Sequence, residues 1–221
     1  MPVAFELPRF YPILDSNVLA QWSCGPIAAA QGMIEGGARI LQFRHKGAWT
    51  QAEYDVAKQI VGLCQESGVL FVINDRADFA RLLGAALHVG QDDLSPVAAR
   101  RVIGDEVMGF STHNRPQLAR GNEEPVEYLS LGPIFKTTSK ERPDSIVGVA
   151  GLKKLRELTA KPLVAIGGIT QLNAREVLEA GANSVAVISG LLTGERANRS
   201  GMRRAAQNWI SLLAQARTAV Q

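Results

Sequence analysis

Short apolar segments recur along this chain about every 15 to 30 residues, and amphipathic segments separate most of them. Strands that are covered on both faces are almost wholly apolar, whereas the helices that cover them are apolar on one side only. The alternation therefore predicts repeated strand–helix units around a parallel sheet. We predict eight strands, at residues 10–14, 40–44, 70–74, 86–89, 107–111, 128–131, 163–166 and 185–188.

The segments between these strands carry the signals of helices. In residues 50–67, Thr50 and Glu53 have the spacing of a capping box. One side of the same segment is apolar with helical periodicity, at Tyr54, Ala57, Ile60, Val61 and Cys64. Glycines at positions 36–37, 68, 84 and 181 shortly precede four of the strands, as is typical of helix C-termini. A last helix is predicted over residues 202–219.

The number of units favours a closed sheet. An open two-layer sheet shares the same order of elements, but eight units and a last helix within 221 residues are typical of a barrel. We therefore predict an α/β fold, a single (β/α)8 TIM barrel that spans residues 1–221 as one domain. In such a barrel the active site lies at the C-terminal ends of the strands, so polar residues at those ends are the candidates for function.

Composition limits the classes of function. A net charge of +3 suits anionic ligands, and the arginines between positions 196 and 204 are interpreted as a solvated helix face, so we expect no nucleic-acid partner. Cys24 and Cys64 have neither metal-ligand nor disulfide spacing, which indicates a reducing compartment. The N-terminus lacks the pattern of a signal peptide, and no apolar run approaches the roughly 20 residues that span a bilayer. We expect a cytoplasmic protein without a membrane partner.

Polar side chains follow the predicted strands two to four. Gln42, Arg44 and Lys46 alternate along strand two and its end, so they point the same way and can hold one anion. A solvated strand end is the alternative. Asp75 follows strand three, and the acidic pair 92–93 follows strand four. Carboxylates at neighbouring strand ends suit Mg²⁺, although capping of the next helix is the alternative for each of them.

The loops after strands six to eight carry the signals of a second anion site. Residues 136–140 place three consecutive hydroxyl side chains between two lysines, which is typical of a phosphate grip, with an exposed loop as the alternative. Two glycines at 167–168 leave room for backbone amides to approach a ligand, and the turn at 188–189 starts a short helix. Loops seven and eight of such barrels often bind phosphate.

These motifs, in this order, resemble those of a known family. They are Gln-Phe-Arg-His-Lys at 42–46, Asn-Asp-Arg at 74–76, His-Val-Gly-Gln-Asp-Asp-Leu at 88–94, Ser-Thr-His at 111–113, Gly-Pro-Ile-Phe-x-Thr-x-Ser-Lys at 132–140, Ile-Gly-Gly-Ile at 166–169 and Val-Ile-Ser at 187–189. The chain resembles the thiamine phosphate synthases, and the resemblance covers nearly its whole length. Such enzymes join a pyrimidine diphosphate to a thiazole phosphate and release pyrophosphate.

The resemblance implies roles for individual residues. The pyrimidine diphosphate substrate would be bound by Gln42, Phe43, Arg44, His45, Lys46, Asn74, Ser111 and Lys140. The thiazole phosphate would be bound by Thr137, Thr138, Ser139, Gly168, Ile188 and Ser189. Asp75 and Asp93 would hold Mg²⁺ as the cofactor. The catalytic groups would be Arg44, Lys46, Ser111 and Lys140, which stabilise the leaving diphosphate or position the pyrimidine.

Two departures and two alternatives remain at this stage. His45 stands where the family usually has Glu, and Ser139 stands where it usually has Thr. A thiazole tautomerase of the same family shares the barrel but needs no metal corner, so residues 90–93 and Lys140 favour the synthase. A non-catalytic phosphate-binding barrel is the other alternative. The sequence leaves open both the oligomeric state and lid motion of residues 137–145.

Overall fold

Eight parallel strands form a closed barrel in a computed structural model that describes residues 5–137, 144–192 and 195–215. Each strand pairs with its neighbours in chain order, and the first strand pairs with the last, with Phe10 opposite Val185. The strands are β1 (Phe10–Asp15), β2 (Ile40–Arg44), β3 (Leu70–Asn74), β4 (Ala86–Val89), β5 (Met108–Thr112), β6 (Tyr128–Leu131), β7 (Leu163–Ile166) and β8 (Ser184–Val187). The predicted (β/α)8 TIM barrel is confirmed.

Helices cover the outside of this barrel. They are α1 (Ser16–Gln21), α2 (Pro26–Glu35), α3 (Gln51–Glu66), α4 (Ala77–Leu83), α5 (Pro96–Ile103), α6 (Arg115–Glu123), α7 (Gly148–Arg156), α8 (Ala174–Glu179) and α9 (Arg199–Ala214). A single 3₁₀ turn, Ser189–Leu191, follows β8. Within the described residues, no helix combines the length and the apolar character needed to cross a membrane.

Most element boundaries agree with the predictions, and the differences are local. β5 and β8 are displaced by one residue from the predicted 107–111 and 185–188. The last helix was predicted at 202–219 and begins at Arg199 instead, because the Asn198 side chain accepts a hydrogen bond from the Gly201 amide and caps it. Residues 216–219 of that prediction lie outside the described residues. The capping box of Thr50 and Glu53 is confirmed.

Alternation along the strands separates two buried layers. Side chains that point into the barrel include Tyr11, Val72 and Tyr128, and they form one apolar cluster. The intervening residues, such as Phe43 and Phe110, point outward and pack beneath the helices in a larger cluster. Towards the C-terminal ends of β1 to β6 the inward-pointing residues change from apolar to polar, whereas β7 ends in the apolar Ile166 and β8 is followed by the apolar Ile188. The barrel therefore has a dry lower half and a polar mouth.

Trp209 joins the last helix to this mouth. Its ring is fully buried and stacks on Phe10 at a centroid distance of 5.8 Å. Its indole N–H donates to the Gly190 carbonyl at 3.1 Å, in the turn that follows β8. One side chain of α9 thus fixes both the first strand and a loop at the mouth.

We predict that Trp209→Phe lowers the free energy of unfolding by about 1–3 kcal/mol, because it deletes a buried hydrogen bond and leaves part of the indole volume empty. Urea denaturation followed by circular dichroism at 222 nm measures this change. A loss below about 0.5 kcal/mol, the range of neutral surface substitutions, would show that Trp209 does not tie α9 to the turn.

Candidate active site

The polar mouth is built from residues at the ends of neighbouring strands. Inward-pointing polar side chains from five adjacent strands lie there, namely Asp15, Gln42, Arg44, Asn74, His88 and Ser111. Four of them, Asp15, Gln42, Asn74 and His88, are buried. Burial of so many polar groups in one place is costly unless they are paired or await a ligand.

Arg44 is held by an acid that the sequence analysis did not identify. Asp15 is the residue directly opposite Arg44 in the β1–β2 pair, and its carboxylate forms an ion pair with the guanidinium. The same carboxylate accepts the amides of Asn17 and Val18 at 3.1 Å and so caps α1. Asp15 is only 4% exposed, and Arg44 is therefore fixed at the mouth with its other nitrogens available for an anion. The position of Asp15 at the end of a strand was the signal for it.

Asp75 lies between a lysine and the barrel wall. Its carboxylate is 2.5 Å from the Lys46 ammonium, and its amide donates to the His88 carbonyl at 2.8 Å. Its backbone has a φ of +67°, a left-handed conformation that is uncommon for a residue with a side chain. No side chain in the described part of the chain caps α4, so Asp75 does not have the helix-capping role that was its alternative. Strain of this kind clusters at functional sites.

Asp93 converges on Asp75 from the next strand. One of its oxygens accepts the Gly90 amide at 2.7 Å. Burial raises the pKa of the Asp93 carboxyl, and the adjacent Asp75 carboxyl raises it further through a hydrogen bond and through its charge. The cap of α5 is Ser95, so Asp93 is also free of the capping role. Among the described residues these two acids stand as a pair, since no group of three potential metal-ligating side chains occurs there.

Two buried amides complete this part of the mouth. Gln42 is 2% exposed, and its Nε2 donates to the Tyr11 hydroxyl at 2.8 Å. Asn74 is 6% exposed, and its Nδ2 makes no hydrogen bond to any described residue. A buried amide without a partner costs about 1–3 kcal/mol, which a ligand oxygen at this position would recover. Asn74 is therefore poised for a ligand.

Phe43 and His45 do not join the other predicted residues. Phe43 is 1% exposed and points outward into the layer under the helices, edge-on to Trp49. The His45 ring also packs edge-on to Trp49, and its Nδ1 lies 2.9 Å from the Ser16 hydroxyl. The structure thus places both side chains on the outer side of β2 and its end, away from Arg44. Their roles in substrate binding stay predictions.

The second predicted site lies where three loops pack on one another. Gly168 has a φ of +66°, and a Cβ there would come within 2.5 Å of the Lys136 carbonyl, so the loops after β7 and β6 are in direct contact. A Cβ at Gly190 would come within 2.6 Å of the Ile169 carbonyl, which brings in the turn after β8. The exposed Ser189 opens that 3₁₀ turn, in which the Leu191 amide donates to the Ile188 carbonyl at 3.1 Å. Amides that precede the first such bond have no partner within a helical turn.

The loop after β6 is described in part. Thr137 is half-buried and directly follows Lys136, whose carbonyl lies against Gly168, whereas Thr138, Ser139 and Lys140 lie outside the described residues. Ile188 precedes the 3₁₀ turn as its cap. Residues 144–147 resume the loop, where the Asp144 carboxylate is 3.5 Å from the His113 ring. Gly168 thus lies against the loop that carries Thr137, and the turn that begins at Ile188 and Ser189 lies against the loop that follows Gly168.

Comparison with known proteins identifies the family. The model of the family described as "Thiamine monophosphate synthase" matches residues 10–191, which include both clusters at the mouth. The chain belongs to the thiamine monophosphate synthase family.

Relatives of known name support this membership of the thiamine monophosphate synthase family. A thiamine-phosphate synthase of Koribacter versatilis is 43% identical over 204 residues, covering 90% of this chain and 96% of the relative. One from Chloroflexus aurantiacus is 38% identical and covers 85% of this chain and 86% of the relative. A solved thiamine phosphate pyrophosphorylase from Pyrococcus furiosus superposes with a TM-score of 0.81 at 27% identity, covering 94% of this chain and 96% of that chain.

The proximity of Asp75 and Asp93 affects how the stability of the folded protein depends on pH. Because the pKa of Asp93 is raised in the folded protein, its contribution to stability is fully present below the ordinary carboxyl pKa and is lost as pH rises through the raised value. Asp75→Asn removes the neighbouring charge, and Asn tolerates the left-handed conformation. We expect the Tm of the metal-free variant at pH 7 to rise by about 2 °C, a modest value because the pair is partly solvated.

Calorimetric scans at pH 4 and pH 7 measure this difference. Asp92→Asn is the matched control, since Asp92 is the exposed neighbour of Asp93. The expected gain for Asp75→Asn is smaller at pH 4, where Asp93 carries more protons. A variant that is less stable than the parent protein at pH 7 would contradict the repulsion between Asp75 and Asp93.

Proposed function

We propose that this protein is a thiamine phosphate synthase, which joins 4-amino-2-methyl-5-hydroxymethylpyrimidine diphosphate to thiazole phosphate and releases pyrophosphate. The observation that carries the proposal is the convergence of Asp75 and Asp93 beside Lys46 and the fixed Arg44. Two acids that repel one another in the absence of a cation suit Mg²⁺, which prefers one or two carboxylates together with substrate phosphates and water. The names of the relatives agree with this assignment.

The residues around the acid pair fit a diphosphate. Arg44 and Lys46 offer cationic donors on one side of the pair. Asn74 offers a buried amide donor that no described residue satisfies. We assign these three residues and Gln42 to the pyrimidine diphosphate, and Asp75 and Asp93 to the magnesium ion. When bound, Mg²⁺ would supply positive charge to the departing diphosphate.

The second cluster fits a phosphate monoester. Amides at the start of a helical turn form a natural anion site, and the glycines of the neighbouring loop keep side chains out of it. We assign Thr137, Gly168, Ile188 and Ser189 to the thiazole phosphate. Thr138, Ser139 and Lys140 remain proposed ligands on the strength of the motif alone. The two anion sites face each other across the mouth, one at β2 to β4 and the other at β6 to β8.

This arrangement supports a dissociative substitution. Arg44 and Lys46 stabilise the negative charge that develops on the leaving diphosphate, and Lys140 would add to it. A pyrimidine-methyl cation then remains, with Ser111 positioned against the ring. The thiazole nitrogen attacks that carbon, because the opposite site holds the thiazole phosphate in place. The mechanism uses electrostatics and positioning, and it needs no covalent nucleophile.

The alternatives make different use of the mouth. A thiazole tautomerase would need acid–base groups near the second site and would leave the acid pair without a role. A non-catalytic phosphate-binding barrel would need neither the strained Asp75 nor the unpaired amide of Asn74. The synthase accounts for both features.

Product analysis separates these functions. The protein is mixed with both substrates and Mg²⁺, and thiamine phosphate and pyrophosphate are measured by chromatography. A synthase forms both products in equal amounts, only when both substrates are present. Conversion of the thiazole phosphate alone would identify a tautomerase, and binding of phosphate without any conversion would identify a sensor.

We expect Asp93→Asn to lower kcat by about 100-fold or more, because it removes half of the proposed metal ligation at the leaving group. Binding of thiazole phosphate, measured by calorimetry, should stay within twofold of the parent protein. The matched control is again Asp92→Asn, which leaves the pair intact. The reverse pattern, with turnover kept and thiazole phosphate binding lost, would overturn the division of the mouth into two sites.

We expect Ser189→Asp to raise the KM for thiazole phosphate by about tenfold or more, because it places a negative charge beside the proposed phosphate. The KM for the pyrimidine diphosphate should change little. Ser189→Ala controls for loss of the hydroxyl, since it keeps the backbone amides and adds no charge. An unchanged KM for thiazole phosphate in Ser189→Asp would place that phosphate elsewhere.

A further inference from the structure

A chain of hydrogen bonds crosses the inside of the barrel, and two tyrosines beneath the mouth connect polar residues of the mouth. Gln42 Nε2 donates to the Tyr11 hydroxyl at 2.8 Å, and that hydroxyl lies 2.8 Å from the Tyr128 hydroxyl. Tyr128 is 3.1 Å from His88 Nδ1, and His88 Nε2 is 2.9 Å from the Ser111 hydroxyl. The chain runs from β2 through β1, β6 and β4 to β5. The residues at its two ends, Gln42 and Ser111, are both proposed to bind the pyrimidine diphosphate.

One assignment of the protons satisfies every donor and acceptor along this chain. With Gln42 as the donor to Tyr11, the Tyr11 hydroxyl donates to Tyr128, and Tyr128 donates to His88 Nδ1. With Nδ1 as an acceptor, the His88 ring proton lies on Nε2, which donates to Ser111. Ser111 therefore receives a hydrogen bond, and its own hydroxyl proton has to point elsewhere.

The position of that proton is accessible to a ligand. Ser111 is half-buried at the mouth, and its hydroxyl lies 3.2 Å from the Ser130 hydroxyl. This distance exceeds the 2.5–3.0 Å that is usual between two hydroxyl oxygens, so Ser130 holds the proton weakly. An acceptor atom of a ligand can therefore take it. In the pyrimidine substrate, such an acceptor is a ring nitrogen.

Tyr11 and Tyr128 can pass the direction of a hydrogen bond from one neighbour to the next, because their hydroxyl groups keep their protons. Both are fully buried, and burial raises the pKa of each hydroxyl, so both stay protonated at neutral pH. The ring of Tyr128 also fills the space in front of Gly109, where a Cβ would lie 2.1 Å from it. Phenylalanine at position 128 would keep this packing and lose only the hydroxyl.

We propose that Tyr128 and His88 are positioning residues that hold the Ser111 hydroxyl as a hydrogen-bond donor to the pyrimidine ring nitrogen next to the amino-bearing carbon. Tyr11 and Gln42 set the direction of the relay from its other end. The proposal rests on the proposed function for the identity of the ligand. It adds a role for buried groups that do not touch the substrate, and it explains why they are polar inside an otherwise apolar barrel.

Calorimetry of pyrimidine diphosphate binding, with Mg²⁺ and without the thiazole, tests the relay independently of turnover. We expect Tyr128→Phe to raise the Kd about tenfold, which corresponds to the loss of one oriented hydrogen bond. Ser111→Ala should raise it by a similar factor, and the double variant should be no worse than Ser111→Ala. Tyr54→Phe, which removes a hydroxyl from α3 outside the barrel, should bind like the parent protein.

A second ligand tests the direction of the hydrogen bond. In a pyridine analogue, C–H replaces the ring nitrogen next to the amino-bearing carbon, so the analogue offers no acceptor there. Its Kd should be the same within twofold in the parent protein, Tyr128→Phe and Ser111→Ala. If Tyr128→Phe does not fold, Tyr11→Phe breaks the relay one step further from Ser111, and we expect a Kd about threefold higher for the pyrimidine.

Several outcomes overturn the proposal. One is an unchanged Kd in Tyr128→Phe or, where that variant does not fold, in Tyr11→Phe. Another concerns the double variant. If Tyr128→Phe lowers the affinity of Ser111→Ala by as much as it lowers that of the parent protein, Tyr128 does not act through Ser111. A Kd for the analogue that rises in both variants would show that Ser111 does not donate to the ring nitrogen. Failure of the parent protein to form thiamine phosphate refutes the proposed function and leaves these binding results to decide the relay.

Discussion

Pairing between the first and the last strand closes the sheet, and this closure decides where each polar group of the site lies. A closed parallel barrel has no free edge, so the backbone groups of every strand are paired and the interior can be filled by side chains alone. Inward-pointing residues of non-adjacent strands then meet across the axis. Tyr11 of β1 contacts Tyr128 of β6 in this way, although 117 positions separate them in the chain. An open sheet would keep these two residues apart.

The mouth contains both an ion pair of opposite charges and a pair of acids of like charge. On one side, Asp15 neutralises Arg44 and also serves as a helix cap, so this ion pair is fully supported by the fold. On the other side, Asp75 and Asp93 lie close together, and Lys46 forms an ion pair with Asp75. Burial and the neighbouring Asp75 carboxyl raise the pKa of Asp93. The first pair builds the site, and the second brings two like charges together, which a bound Mg²⁺ would stabilise under the proposed function. A stable barrel around them can sustain that cost.

The sequence predicted the eight strands because fully covered strands leave an apolar pattern that survives without an alignment. It missed α1, whose six residues are too few to show helical periodicity, and it missed Asp15, which directly follows the predicted first strand and stands in none of the motifs. The alternation along β2 implied that His45 points away from Arg44, but its packing against Trp49 could not be predicted. Contacts across the barrel, such as Tyr128 to His88, join distant segments and leave no local pattern.

The glycines at the rim have a consequence for how this site can vary. At Gly168 and Gly190 a methyl group would collide with a backbone carbonyl of a neighbouring loop, at 2.5 and 2.6 Å, and at Gly132 with the carbonyl at the end of β7, at 2.3 Å. The loops after β6, β7 and β8 therefore pack closely on one another through backbone atoms. A chain that enlarged any one of these positions would have to rebuild the adjoining loop as well. Substitutions on this side of the rim therefore have to occur together. On the opposite side, where side chains form the rim, single residues can change independently.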